Sequence, residues 1–285
     1  MPDLIVRAEG VRKRYGDFWA VDGVDLEIAR GECLAMLGPN GAGKTTFTEI
    51  LEGFRTRDGG MIDVLGVDPA EATGAWKARI GIVLQQDRDL GDLTVAEAVH
   101  HFSHYYPHPS NPDEVIAAVG LQESAGVRID RLSGGQRRRL DVALGIVGQP
   151  EMLFLDEPTT GFDPEARRDF WQLIEQLKYD GTTILLTTHY LEEAEALADR
   201  VAVIARGRLL ACAPPELLDG RDNGTTEVHW MENGVARMEK TQEPTALIHN
   251  LSQRIGGEIP GLMVRRASLE DVYLNLIACD ALESS

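Results

Sequence analysis

The run GPNGAGKT, Gly38 to Thr45, restricts this chain more than any other stretch. It follows the strand-like CLAML, precedes a helical pattern and fits G-x-x-x-x-G-K-[ST]. A glycine-rich turn between a buried strand and a helix leaves backbone N–H groups bare at the helix N-terminus, where the peptide dipoles favour an anion. Gly38, Gly41 and Gly43 let a loop that also contains Pro39, Asn40 and Ala42 close on phosphates. Lys44 is spaced to reach the β- and γ-phosphates, and the Thr45 hydroxyl to ligate Mg²⁺, with Thr46 next to it in the first helical turn. A plain strand-to-helix turn has no use for a lysine and a threonine in succession. The motif therefore predicts a nucleotide phosphate at the end of a strand.

The rest of the chain alternates short apolar runs with helical patterns, which predicts an α/β fold. Strands are expected at LIVRA, VDLEI, CLAMLG, GIVLQ, MLFLDE, TILLTT and VAVIA, the later ones reading as strands buried on both faces of a parallel sheet. Helices are expected after Gly43, after Pro164 and near Leu191. MLFLDE ends in two acids. Asp156 suits the Mg²⁺ shell, and Glu157, on the opposite side of the backbone, suits a general base that polarises an attacking water. A pair of acids at a strand end is weak evidence alone, since helix-capping acids are common there; beside a phosphate loop it becomes a catalytic pair.

Composition shifts mark the expected boundaries. Strand patterns stop between Gln86 and about Asp130, so a helical insertion over about residues 87–145 is expected inside an α/β domain of residues 1–213. After Pro214-Pro215 a small α+β appendage, residues 214–285, is expected: a hairpin about Asn233-Gly234, a helix from Pro244, a strand near LMVRR, and a helix opened by a Ser268–Asp271 capping box.

LSGGQRRRL, residues 132–140, is a second anion-binding arrangement without a lysine: Ser133 can cap a helix while Gly134 and Gly135 leave N–H groups bare. LGPNGAGKTT, LSGGQ, LFLDEPTTGFDP and LLTTHY, in that order, resemble the phosphate loop, signature, acidic strand with its D-loop, and switch histidine of ABC-family ATPases. The resemblance runs from about residue 4 to 212. It implies a P-loop NTPase fold, an ABC cassette with a helical insertion, and a composite site in which Ser133, Gly134, Gly135 and Gln136 hold the γ-phosphate of ATP bound to a second cassette.

The resemblance carries further positions with it. Tyr15 stands where the family places an adenine-stacking aromatic, with Phe18 and Trp19 as alternatives. Gln85, adjacent to Gln86, resembles the glutamine that links γ-phosphate and Mg²⁺ to the helical insertion. His189 resembles the switch histidine, and Asp163 the D-loop aspartate that couples the two sites; Phe162 stands where leucine is more usual. ATP and Mg²⁺ are the implied cofactors. A second cassette, as a homodimer, and an integral-membrane permease are the implied partners, on the cytoplasmic face of a membrane. ASLEDVYLNL is similar to the extension of ATPases of drug, antibiotic and lipid or polysaccharide exporters, in particular of the daunorubicin-resistance type. The alternatives are a soluble ABC ATPase without a permease and a nucleotide-gated scaffold; the presence of Glu157, Gln85 and His189 argues against the scaffold.

A net charge of −18 argues against nucleic acid as a partner, since polyphosphate rewards clustered Lys and Arg. Arg137, Arg138 and Arg139 are expected near phosphates or in local ion pairs. His100, His101, His104 and His108 have partial helical spacing for a transition metal, but Pro107 interrupts it, and a solvated or partner-facing helix is the plainer reading. No run of about 18 apolar residues suggests a membrane span. Cys33, Cys212 and Cys279 lack metal spacing, and the N-terminus lacks a leader pattern, so reduced cytosolic thiols are expected.

Overall fold

A computed structural model describes residues 3–83, 90–218, 226–266 and 268–283. The chain forms two compact units, Met1–Leu210 and Ala211–Ser285.

Strands β1 (Leu4–Tyr15) and β2 (Phe18–Ala29) form a long hairpin, and β3 (Cys33–Leu37) follows with all five residues buried. Helix α1 (Lys44–Leu51) starts at the glycine-rich loop, then come β4 (Gly59–Val64), the single turn α2 (Gly74–Lys77) and β5 (Ile80–Val83). Helices α3 (Val95–Ser103), α4 (Pro112–Ala118) and α5 (Gly134–Ile146) occupy the next stretch, which contains no strand among the described residues. Beyond them run β6 (Met152–Asp156), α6 (Pro164–Tyr179), β7 (Thr183–Thr188), α7 (Leu191–Leu197), β8 (Arg200–Ala205) and β9 (Arg208–Ala213).

The main sheet has the order β5-β6-β7-β3-β8-β9, and β5, β6, β7, β3 and β8 pair in parallel. β7 is buried at every position, its three threonines included, and β8 at all but Arg200, as expected of strands covered on both faces. α5 crosses β5 so closely that a Cβ on Gly81 would lie 2.3 Å from the Gly145 carbonyl oxygen. Parallel pairing brings the C-terminal ends of β3, β6 and β7 side by side, and the loops after them form the site.

LIVRA and VDLEI do not join this sheet. They form a separate antiparallel sheet of order β2-β1-β4. Alternation identifies such segments as strands without saying which neighbours they take. β4, GGMIDV, was outside the expected strands because only Ile62 and Val64 are buried and two glycines open it. The helix carrying His100 and His101 ends at Ser103, before Pro107 is reached.

Two helix starts show their local cause directly. Thr94 and Glu97 form a capping box on α3, and Asp163 Oδ1 accepts the Glu165 and Ala166 N–H groups at 3.0 and 2.9 Å ahead of Pro164 on α6.

The second unit holds β10 (Thr226–Glu232), β11 (Val235–Thr241), α8 (Pro244–Ile255), β12 (Met263–Arg266) and α9 (Leu269–Glu283). Its sheet order is β11-β10-β12, with Asn233 and Gly234 both at positive φ (52° and 77°) in the two-residue turn. Val228, Trp230, Leu251 and Ile259 make its core. Ser268 Oγ accepts the Asp271 N–H at 3.1 Å and the Asp271 carboxylate accepts the Ser268 N–H at 2.9 Å, closing the box ahead of α9. No helix among the described residues is long and apolar enough to cross a membrane.

Candidate nucleotide site

The loop from Gly38 to Thr45 is held by close backbone approach. A Cβ on Gly43, whose φ is +103°, would sit 2.2 Å from the Ala20 carbonyl oxygen, and one on Gly38 would sit 2.3 Å from that of Ile204. Only glycine fits either place, so the loop follows a path that any side chain there would block. Lys44 is 7% exposed and donates from Nζ to the Gly38 and Pro39 carbonyls at 2.7 and 3.2 Å, folding across the loop it serves. Burial pulls its ammonium below the ordinary lysine value, against the opposing influence of Glu157 and Asp156.

A cleft of about 580 Å³ opens over this loop, lined by Tyr15, Phe18, Ala20, Asn40 to Thr46 and Glu157. Tyr15 and Phe18 are 42% and 58% exposed, so each offers a ring face to a base. Trp19, the third aromatic of the hairpin, is not part of this wall; its ring lies beneath the Arg14 guanidinium at 5.4 Å. Arg55 lies 5.5 Å from the Tyr15 ring centroid and Lys13 lies 5.8 Å from it, which gives that side of the cleft two cations.

The two acids end β6 beside β7. Asp156 pairs in register with Thr187 and accepts a short hydrogen bond from the Thr187 hydroxyl. Glu157 takes a left-handed conformation, φ 44°, while its N–H donates to the Thr187 carbonyl at 3.0 Å. Left-handed backbone at a residue that is not glycine costs about 1–3 kcal/mol and persists only where surroundings enforce it. Here it separates the two side chains. Glu157 Oε1 lies 3.3 Å from His189 Nδ1, and Oε2 accepts from the Thr160 hydroxyl at 3.3 Å. Beneath this turn Arg138, 8% exposed, donates from Nη2 to the Asp156 carbonyl at 2.6 Å and from Nε to the Pro158 carbonyl at 3.0 Å. The basic run is thus local: Arg138 braces the acidic turn, Arg139 pairs with Asp169 at 3.0 Å, and Arg137 donates to the Ile129 carbonyl at 2.9 Å. Arg138 is a supporting residue that the sequence reading did not isolate from its neighbours.

Ser133 caps α5. Its Oγ accepts the Gln136 N–H at 3.2 Å, Gln136 Oε1 accepts the Ser133 N–H at 3.0 Å, and the Gln136 amide donates to Ser124 Oγ at 3.1 Å. Ser133 and Gly134 are exposed and Gly135 half-buried. The signature opens on a different recess from the phosphate loop, about 560 Å³, lined by Leu132, Gly134, Arg137, Arg138, Asp141, Glu157, Thr160, Gly161 and Phe162. Glu157 is the residue common to both. Asp163 is the exposed cap of α6, and Phe162 packs edge-to-face on Phe170 at 5.8 Å. Gln85 lies outside the described residues.

The histidine cluster finds ordinary partners: His100 with Asp113 at 3.0 Å, His101 with the Tyr105 hydroxyl at 3.1 Å, and His104 Nδ1 with the His100 carbonyl at 2.7 Å. Among the described residues no group of three His, Cys, Asp or Glu side chains is arranged to hold a metal. At the nucleotide site the Thr45 hydroxyl and the Asp156 carboxylate are oxygen donors, a set that fits Mg²⁺, a hard ion that keeps waters and substrate phosphates as its other ligands.

A family model described as ABC transporter matches residues 21–160. The daunorubicin resistance ATP-binding protein DrrA3 of Streptomyces coeruleorubidus is 35% identical, covering 98% of this chain and 98% of its own length. The Nod factor export ATP-binding protein I of Ralstonia nicotianae is 37% identical, covering 95% and 93%. Among solved structures, cbiO1 of Clostridium perfringens, part of the ABC transporter complex cbiONQ, is 27% identical with a TM-score of 0.69 over 78% of this chain and 93% of that one. An ATP-binding subunit of an ABC transporter shares the fold over 96% of this chain and 99% of its own, with a TM-score of 0.72 at 20% identity. With the phosphate loop, acidic turn and signature geometry described above, and with relatives above 30% identity along nearly its whole length, the chain belongs to the ABC transporter family as an ATP-binding, ATP-hydrolysing cassette.

Proposed function

We propose that this chain powers a membrane exporter by closing on a second copy of itself around ATP and reopening on hydrolysis. The observation that carries the reading is the position of Glu157, on the wall of the phosphate-loop cleft and of the signature recess at once. Two copies facing head to tail would bring the signature of one against the phosphates held by the other, with Glu157 at the seam. Within one copy the two recesses are distinct, so Ser133, Gly134, Gly135 and Gln136 serve in trans.

In the closed pair, Tyr15 or Phe18 stacks on adenine, and the N–H groups from Gly38 to Thr46 with Lys44 take the phosphates. Thr45, Asp156 and Gln85 would hold Mg²⁺, which when bound neutralises phosphate charge. Glu157 accepts a proton from the water that attacks the γ-phosphorus, and ADP departs as the P–O bond breaks. His189 orients that water and the γ-phosphate from the far side of Glu157. Asp163, exposed at the start of α6, meets the facing copy.

The partner reading rests on the relatives. Relatives that are a daunorubicin resistance ATP-binding protein and a Nod factor export ATP-binding protein support a permease-linked exporter over a soluble ABC ATPase, and attachment to a permease supports a place on the cytoplasmic membrane face. Expression with candidate permeases, detergent extraction and affinity purification of this chain tests it. A multi-span membrane protein should co-purify, and ATP turnover should rise in the complex; a chain that hydrolyses ATP at full rate and retains no membrane partner contradicts it.

A further inference from the structure

Tyr190, the residue after the switch histidine, connects it to a helix of the opposite loop. The Tyr190 and His189 ring centroids are 4.1 Å apart with planes inclined by 37°. The Arg167 guanidinium carbon lies 4.6 Å from the same Tyr190 centroid. Arg167 belongs to α6, in the second turn after the Asp163 cap, whereas Tyr190 stands immediately before α7. Imidazole, phenol and guanidinium therefore form one unbroken contact from the Glu157 carboxylate to the helix that begins at the D-loop.

Both ends of this contact are anchored. The Tyr190 N–H donates to the Thr188 hydroxyl at 3.0 Å, fixing the turn as it leaves β7. Glu193, in the first turn of α7, is fully buried and accepts the Trp171 indole N–H at 3.4 Å, tying α7 to α6 a turn beyond Arg167. Glu193 Oε2 and Arg167 Nε are buried in this seam without a hydrogen-bond partner among the described residues. His189 itself is 43% exposed at its side chain, so Tyr190 supplies packing that the rest of the site does not.

We propose that Tyr190, held by Arg167, is a positioning residue that sets the His189 imidazole against Glu157 and links it to α6. The proposal rests on the assignment of His189 to the hydrolytic site given above. Steady-state hydrolysis by the full chain, across an ATP titration, tests it with Tyr190→Leu, Tyr190→Phe, Arg167→Gln and, as the reference, His189→Ala. Tyr190→Leu should lower kcat by about 10-fold with KM for ATP unchanged, because orientation and not nucleotide affinity is lost. Tyr190→Phe, which keeps the ring, should restore most of that turnover. Arg167→Gln should lower kcat by about 3-fold, and adding it to Tyr190→Leu should lower kcat no further. A wild-type kcat in Tyr190→Leu, with His189→Ala impaired, overturns the positioning role; so does a rise in KM that accounts for the whole loss. A wild-type rate in His189→Ala overturns the site assignment instead. If Tyr190→Leu proves thermally unstable, Arg167→Gln decides alone, and an unchanged kcat there overturns the proposal.

Discussion

Glu157 Oε1 and His189 Nδ1 stand 3.3 Å apart at the ends of two adjacent parallel strands. The contact follows from register. Asp156 faces Thr187 across β6 and β7, so Glu157 and His189, each just past the end of its strand, come out beside one another. The left-handed turn at Glu157 directs its carboxylate to the histidine while Asp156 stays with the Thr187 hydroxyl. The two acids thus face different partners, which is what the proposed division between metal shell and attacking water requires.

Lys44 is the cation of the glycine-rich loop itself, buried and bonded to the loop's own carbonyls. Lys44→Ala should weaken ATP binding by about 10–100-fold or more, since charge-assisted hydrogen bonds to phosphate contribute about 1.5–3 kcal/mol. Equilibrium titration with a fluorescent ATP analogue checks this, and near-wild-type affinity would remove Gly38 to Thr45 from the site.

Ser133→Arg places a bulky cation at an exposed cap that does not line the cleft over the chain's own phosphate loop. ATP affinity of the monomer should stay within about twofold, while hydrolysis falls by about 10-fold or more because closure is blocked and the trans donors are lost. Unimpaired hydrolysis contradicts an in-trans signature.

Arg138 satisfies the carbonyls of Asp156 and Pro158 from a buried position. Arg138→Leu leaves them without that donor, and the loss should lower unfolding stability by about 1.5–3 kcal/mol in chemical denaturation. Turnover should fall as well, because the turn that aims Glu157 loses its brace.

Glu52, 4% exposed at the end of α1, has its carboxyl pushed up to about 8 by burial, reinforced by the charges of Asp156 and Glu49. A carboxyl whose folded pKa is raised binds its proton more tightly in the native chain. Its contribution to stability is therefore complete below its ordinary value of 4.5 and is lost as pH rises toward about 8. Glu52→Gln should stabilise the protein near pH 9, by an amount on the order of a few kcal/mol, and leave it nearly unchanged near pH 4.5. Thermal melts at both pH values decide the sign.

Much of this site is legible because its chemistry is contiguous. Gly38 to Thr45, Ser133 to Gln136 and Asp156-Glu157 each carry their spacing within a few residues, and the strand or helix they adjoin shows in the same window. His189 is legible through its place between TILLTT and a helical pattern, after the other motifs in order. What the chain conceals is tertiary: the hydrogen bonds of Arg138 to two carbonyls, the contact of Tyr190 with Arg167, and the diversion of β1 and β2 into a sheet of their own all depend on partners far along the chain. In sequence Tyr15 is the first choice, with Phe18 and Trp19 as alternatives because one hairpin carries all three; the pairing of Tyr15 with Phe18 puts these two on the cleft together.

The most direct test of the account is Glu157→Gln in the presence of ATP and Mg²⁺. A positioned general base is worth about 10²–10⁴-fold, so turnover should fall within that range while ATP binding survives. Loss of the carboxylate charge also relieves repulsion of the γ-phosphate, so the variant should accumulate as an ATP-held dimer, doubling the mass seen by light scattering, with Ser133→Arg in the same chain abolishing that dimer. A Glu157→Gln variant that hydrolyses ATP at near the wild-type rate, or a dimer that persists after Ser133→Arg, would contradict the composite site.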